Sequence, residues 1–151
     1  MHLRLRQLKI SVMTEAGLYG RVIPFFPGLN VIHVENASGK STCIQALIYA
    51  LGLEAMLSPK HSVPLPHAVV EFLETATGQR MTVLESEVWL EVENSQGEII
   101  TVRRQIKGND DVHLIRLFRG PQLSAPSNEF PEEPYFVRQS GAAQRPRGFH
   151  T

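Results

Sequence analysis

The segment His33-Val34-Glu35-Asn36-Ala37-Ser38-Gly39-Lys40-Ser41-Thr42 constrains this chain more than any other. It stands between a β-branched, largely apolar run, Leu29–Val34, and a stretch with helical spacing, Ser41–Leu53. A strand, a loop ending in Gly-Lys-Ser and then a helix is the arrangement of a phosphate-binding loop. The chemistry dictates the residue types. Successive backbone N–H groups turn inward on anionic oxygens, and the following helix adds free amides and its positive dipole end. Gly39 permits close backbone approach. Lys40 is suited to bring a point charge to β- and γ-phosphates, Ser41 a hydroxyl to Mg2+, and Thr42 a hydroxyl to the α-phosphate region. Mg2+ keeps several waters, so it asks little more of the protein than one such oxygen and a distant carboxylate. Val34 stands where the full pattern has its first glycine. A β-branched side chain resists positive φ, so the preceding strand is expected to run one residue further.

Around this motif the pattern is mostly β. Leu3, Leu5, Leu8 and Ile10 alternate with Arg4, Arg6 and Lys9, with one slip of register that a bulge at Arg6–Gln7 explains. Val22–Phe26 reads as a short strand closed by the turn Pro27-Gly28. Leu29–Val34 reads as a central strand covered on both faces. Ile44, Leu47, Ile48 and Leu51 follow helical spacing, and Gly52 is a plausible cap. Beyond a proline-rich loop, Leu57–Pro66, come strand candidates at Ala68–Leu73, Met81–Leu84, Glu87–Glu93, Ile99–Gln105 and Leu114–Phe118. Turns at Thr77-Gly78, Ser95–Gly97 and Gly108–Asp111 join them into an antiparallel meander. In Glu87–Glu93 the residues Val88, Leu90 and Val92 are expected inward, and Glu87, Trp89, Glu91 and Glu93 outward. Gly120–Pro134 reads as an exposed connection, and Tyr135–Arg138 as a last strand. The expected class is α/β. The elements expected are those of a P-loop NTPase: a mixed β core, one P-loop helix and an antiparallel β lobe.

Composition narrows the function. Fifteen Lys+Arg against fifteen Asp+Glu give a formal net charge of zero, which excludes a general basic field for nucleic acid. Locally, Arg103, Arg104, Lys107, Arg116 and Arg119 either touch a DNA backbone or guard a solvated strand edge. The single cysteine, Cys43, excludes an internal disulfide and reads as a small buried helix residue. The six histidines have no metal-ligand spacing. The apolar stretch Ile44–Leu53 is too short to span a bilayer, so the expectation is a cytoplasmic chain with no membrane partner.

Phe26-Pro27-Gly28-Leu29-Asn30-Val31-Ile32, followed by Asn36–Thr42 and Ile44-Gln45-Ala46-Leu47, resembles the N-terminal half of an SMC/SbcC-type ATPase head. These are ABC-class ATPases of chromosome maintenance, DNA repair and phage defence. The resemblance implies that residues 1–151 form one unit, the N-terminal lobe. It implies ATP and Mg2+ as ligands, held by Glu35, Asn36, Ala37, Ser38, Gly39, Lys40, Ser41 and Thr42. Tyr135-Phe136-Val137-Arg138-Gln139 matches the strand that presents the family's Q-loop glutamine. Gln139 is thereby implied, with Ser41, at the metal and, with Lys40, in catalysis; Gln144 takes its place if the register differs. The family's signature motif, Walker B carboxylates and switch histidine belong to a C-terminal lobe beyond a coiled coil, and no such patterns occur here. Hydrolysis is therefore expected to need that lobe, supplied by another chain or missing because this chain is a fragment. A second head and DNA are the implied partners. The alternative is a non-hydrolysing regulatory module that binds DNA or a partner and keeps a vestigial P-loop.

Overall fold

A computed structural model describes residues 2–31, 38–53, 72–74 and 78–137. Strands β1 (Arg4–Thr14) and β2 (Gly17–Pro24) form a hairpin, and helix α1 spans Ser38–Ala50. The strands β3 (Phe72–Glu74), β4 (Arg80–Glu93), β5 (Ile99–Lys107), β6 (Leu114–Phe118) and β7 (Glu132–Phe136) follow. All seven belong to one sheet, in the order β2-β1-β4-β5-β6-β7, with β3 paired to the start of β4. Every pairing among the described residues is antiparallel. The α/β class therefore rests on one helix laid on one antiparallel sheet, and the mixed core is not seen among these residues.

Local rules explain most of this. The register of β1 against β4 slips between Leu5 and Gln7, where the broken alternation requires a bulge. The extra residue, Arg6, reaches Glu91 at 2.9 Å and Glu93 at 3.2 Å. Gly52, at φ +73°, closes α1. Its N–H donates to the Tyr49 carbonyl, and the Leu53 N–H donates to the Ile48 carbonyl, both at 3.0 Å. This paired closure satisfies carbonyls that the helix itself leaves open.

The core lies between α1 and one sheet face. Leu8, Ile10, Val12, Val88, Leu90, Val92, Val102 and Ile106 meet Cys43, Ala46, Tyr49 and Ala50. The helix thus turns its small residues and one tyrosine to the sheet, not the expected stripe. Of that stripe, Leu47 packs against the core partly buried, while Ile44 and Leu51 stay exposed. Small side chains let the helix axis approach a sheet surface already filled by Val, Leu and Ile. Tyr49 then spans the gap, its hydroxyl 3.0 Å from the carbonyls of both Gln105 and Val112, which share its single proton.

Three expectations change. Met81–Leu84 and Glu87–Glu93 are one strand, β4. Leu29–Val31 lie outside any strand, with Leu29 91% and Val31 80% exposed. The rest of that expected central strand, residues 32–34, lies outside the described residues. Finally, the connection from Gly120 folds back across the outer sheet face. Thr101 Oγ1 donates to the Gly120 carbonyl at 2.7 Å, and the Ser124 hydroxyl donates to Glu91 at 2.6 Å. Glu91, expected to face solvent, is fully buried beneath it. Among the described residues no helix is long and apolar enough to cross a membrane.

Candidate functional site

Helix α1 begins at Ser38, so Ser38, Gly39, Lys40 and Ser41 form its first turn and Thr42 follows. Helical spacing placed its start at Ser41, because apolar periodicity cannot register the polar residues Ser38–Lys40. The first turn of any helix holds N–H groups without intrahelical acceptors. No acidic residue occupies this turn, so no side chain there competes with an incoming anion for the positive dipole end. Gly39, Lys40, Ser41 and Thr42 therefore stand in succession at the N-terminal end of α1, where backbone N–H groups lack intrahelical acceptors. Glu35, Asn36 and Ala37 lie outside the described residues, as do Val34, Gln139 and Gln144. Strand β7 carries the chain toward Gln139 as far as Val137, whose N–H donates to the His113 carbonyl at 2.9 Å. Val137 lies beside Gly52, at the opposite end of α1 from Lys40.

The approach to the loop is built by Asn30. Its Oδ1 accepts from the Phe26 N–H at 2.8 Å, and its Nδ2 donates to the carbonyls of Phe26 at 2.7 Å and Gly28 at 3.2 Å. Gly28 supplies the left-handed residue of this turn, at φ +88°. One asparagine side chain thus locks the turn Phe26–Asn30. Beside it an open cavity of about 470 Å³ is lined by Arg21, Phe25, Phe26, Leu29, Asn30 and Cys43, among others. Arg21 is the only charged residue lining it among the described residues. Burial pushes the Cys43 thiol up, and the nearby Arg21 only partly offsets this. Cys43 is thus a neutral packing residue rather than a nucleophile.

The basic stretch is engaged within the chain. Arg103 pairs with Glu87 and lies 5.3 Å from the centre of the Trp89 ring. Arg116 bonds Asp110 at 3.1 Å and Glu132 at 2.7 Å, which holds its guanidinium above the ordinary value and Asp110 below. Arg119 bonds Glu133 at 2.8 Å. That bond, with one from the Tyr135 hydroxyl, lowers Glu133 to about 2. Lys107 donates to the Val83 carbonyl at 2.9 Å.

Arg104 has a role the composition of this stretch did not suggest. It is 1% exposed, and its guanidinium lies 3.7 Å from the Tyr49 ring centre. Nη1 donates to the Tyr49 carbonyl at 2.7 Å and Nε to the Val112 carbonyl at 2.8 Å. The signal was present in the alternation, since Arg104 is in phase with the inward Val102 and Ile106. Among the described residues no group of three or more His, Cys, Asp or Glu could hold a metal ion.

Fold and site define an α/β protein in which one helix, opening on Ser-Gly-Lys-Ser-Thr, is mounted on an antiparallel sheet. A sequence model described as an AAA domain matches residues 17–119, more than half of the chain. The chain belongs to this AAA domain family, and is a nucleotide-binding module of the P-loop ATPase type. No curated protein matches the chain, and no solved structure does.

Proposed function

We propose that this chain is the ATP·Mg2+-binding N-terminal lobe of an SMC/SbcC-like ATPase head, of the kind that serves chromosome maintenance, DNA repair or phage defence. The observation that carries this reading is the two-sided apolar character of α1. Its inner side is covered by the sheet, while Ile44 on the outer side is 52% exposed and Leu51, just past the helix end, 37%. An exposed isoleucine in line with the half-buried Leu47 and Ile48 marks a second apolar side, which a second lobe would cover.

The residues fit the ligand. In this reading the main-chain amides of Glu35–Thr42 would receive the phosphates, Lys40 would neutralise β- and γ-oxygens, and Ser41 and Gln139 would hold the metal. Mg2+ would supply charge neutralisation at the phosphates there. Gly52 sits roughly 17 Å along α1 from Ser41, at 1.5 Å per residue. Gln139 therefore reaches the metal only if the chain after Val137 runs back along α1. Hydrolysis also needs a positioned water and a general base. In this reading they come from a C-terminal lobe, in this polypeptide or another, and ATP joins two completed heads.

A second reading, a non-hydrolysing regulatory or DNA- or partner-binding module, is favoured by Val34 at the first glycine position of the loop. Titration with ATP separates the two. The first reading expects Mg2+-dependent binding that falls at least tenfold in Lys40→Ala, with far-UV circular dichroism unchanged and negligible turnover. Absence of binding by the folded wild type supports the second. Turnover by this chain alone that is lost in Lys40→Ala overturns the requirement for another lobe.

A further inference from the structure

The two outer strands of the sheet are built to opposite rules. β7 is short, has Pro134 at its centre, and binds its two carboxylates, Glu132 and Glu133, to Arg116 and Arg119. That is how an exposed edge is ordinarily protected from pairing. β2 has eight residues, a single charge at Arg21 and its only proline at the end. Leu18, Tyr19 and Val22 are 64%, 41% and 53% exposed. Among the described residues its outer edge pairs with nothing.

We propose that β2 joins two copies of this chain, edge to edge and antiparallel, about a two-fold axis at Gly20. The main chain sets the register. The Phe25 N–H donates to the Arg6 carbonyl, so Ile23, Arg21 and Tyr19 turn their amides and carbonyls toward β1. Val22, Gly20 and Leu18 turn theirs outward. Self-pairing must set outward residues against outward residues, and an axis at Gly20 does so. Gly20 faces the partner's Gly20, and Leu18 faces the partner's Val22. On the other sheet side, Tyr19 stands opposite the partner's Arg21, and the symmetry repeats the contact. The edge is therefore self-complementary, an apolar pair on one side and a cation against a phenol ring on the other. Moving either strand by two residues sets Arg21 against Arg21, or Tyr19 against Tyr19 with both arginines unmatched. The association uses no residue of α1 and needs no nucleotide, so it is distinct from heads joined through ATP.

Sedimentation velocity on the full chain without nucleotide tests this. The wild type is expected to show a concentration-dependent monomer–dimer equilibrium, unchanged by ATP. Tyr19→Arg sets arginine against arginine and should weaken the dimer at least tenfold. Adding Arg21→Tyr to that variant exchanges the two side chains and should restore dimerisation. Three results overturn the proposal: a wild type that is monomeric at every concentration, a dimer that appears only with ATP, and a dimer indifferent to Tyr19→Arg. Failure of the exchanged variant to recover, while folded by circular dichroism, also overturns it.

Discussion

Arg104 shows how much one buried cation can organise. Its guanidinium serves the Tyr49 and Val112 carbonyls, tying the last turn of α1 to the turn after β5. The last turn of α1 has no basic residue of its own, so Arg104 also supplies the charge that a helix C-terminus favours. Truncation removes one of the two donors at each carbonyl, the others being the Gly52 N–H and the Tyr49 hydroxyl, and opens a cavity under the Tyr49 ring. Arg104→Ala is expected to lose about 3 kcal/mol or more in urea unfolding. Arg104→Lys should recover only part, because an ammonium lacks the planar fork that bridges both acceptors. A loss within experimental error for Arg104→Ala would refute this assignment. Arg104 was legible from its phase within β5. Glu91 was not: the alternation of β4 puts it on the outer face, and it is buried only because a distant segment, Gly120–Pro131, crosses that face. Burial of this second kind depends on long-range chain folding, which local periodicity cannot express.

At the scale of the element, the existence of α1 and its cap were legible, and its orientation was not. Apolar spacing marks a face, but α1 has two: Cys43, Ala46, Tyr49 and Ala50 on one side, and Ile44 and Ile48, continued by Leu51 past the helix end, on the other, with Leu47 between them against the core. The sheet selects the small-residue side because it permits closer approach. Gly52→Ala should cost about 1 kcal/mol in the same unfolding measurement, from the left-handed backbone alone. An added methyl would meet Ile115 at 3.4 Å and Val137 at 3.5 Å, ordinary contact distances, so no clash adds to it. A loss several times larger would show that the packing here is tighter than these distances indicate. The outer side predicts the reverse. If it awaits another lobe, Ile44→Ser should change the stability of this chain by no more than about 0.5 kcal/mol. A loss of 2 kcal/mol or more would show that this face is already covered.

At the scale of the whole molecule, the meander was legible because β4–β5 and β5–β6 are joined by short turns with strong turn residues. The pairing of β1 with β4, across some seventy residues of intervening sequence, carries no comparable local mark. The same long-range contacts set the response to acid. Burial pushes Glu91 up, but bonds from the Ser124 hydroxyl and N–H, Arg6 and Gln7 outweigh it, and the carboxyl is held below its ordinary value. Asp110, bonded by Arg116, and Asp111, bonded by the His113 backbone, are also held low, and Glu133 is lowered to about 2. Each is more acidic folded than unfolded. Their contribution is therefore fully present above the ordinary carboxylate range, about pH 4, and is lost as pH falls through the lowered values. Stability measured by urea unfolding should be level from pH 7 to about 5 and decline steeply from about 4 toward 2. Glu91 is the buried member of this set, and it clamps Gly120–Pro131 across the sheet. Glu91→Gln should lower stability at pH 7 and make the acid decline shallower, since one lowered carboxylate no longer titrates. An acid decline as steep in Glu91→Gln as in the wild type would assign the transition to the exposed pairs instead.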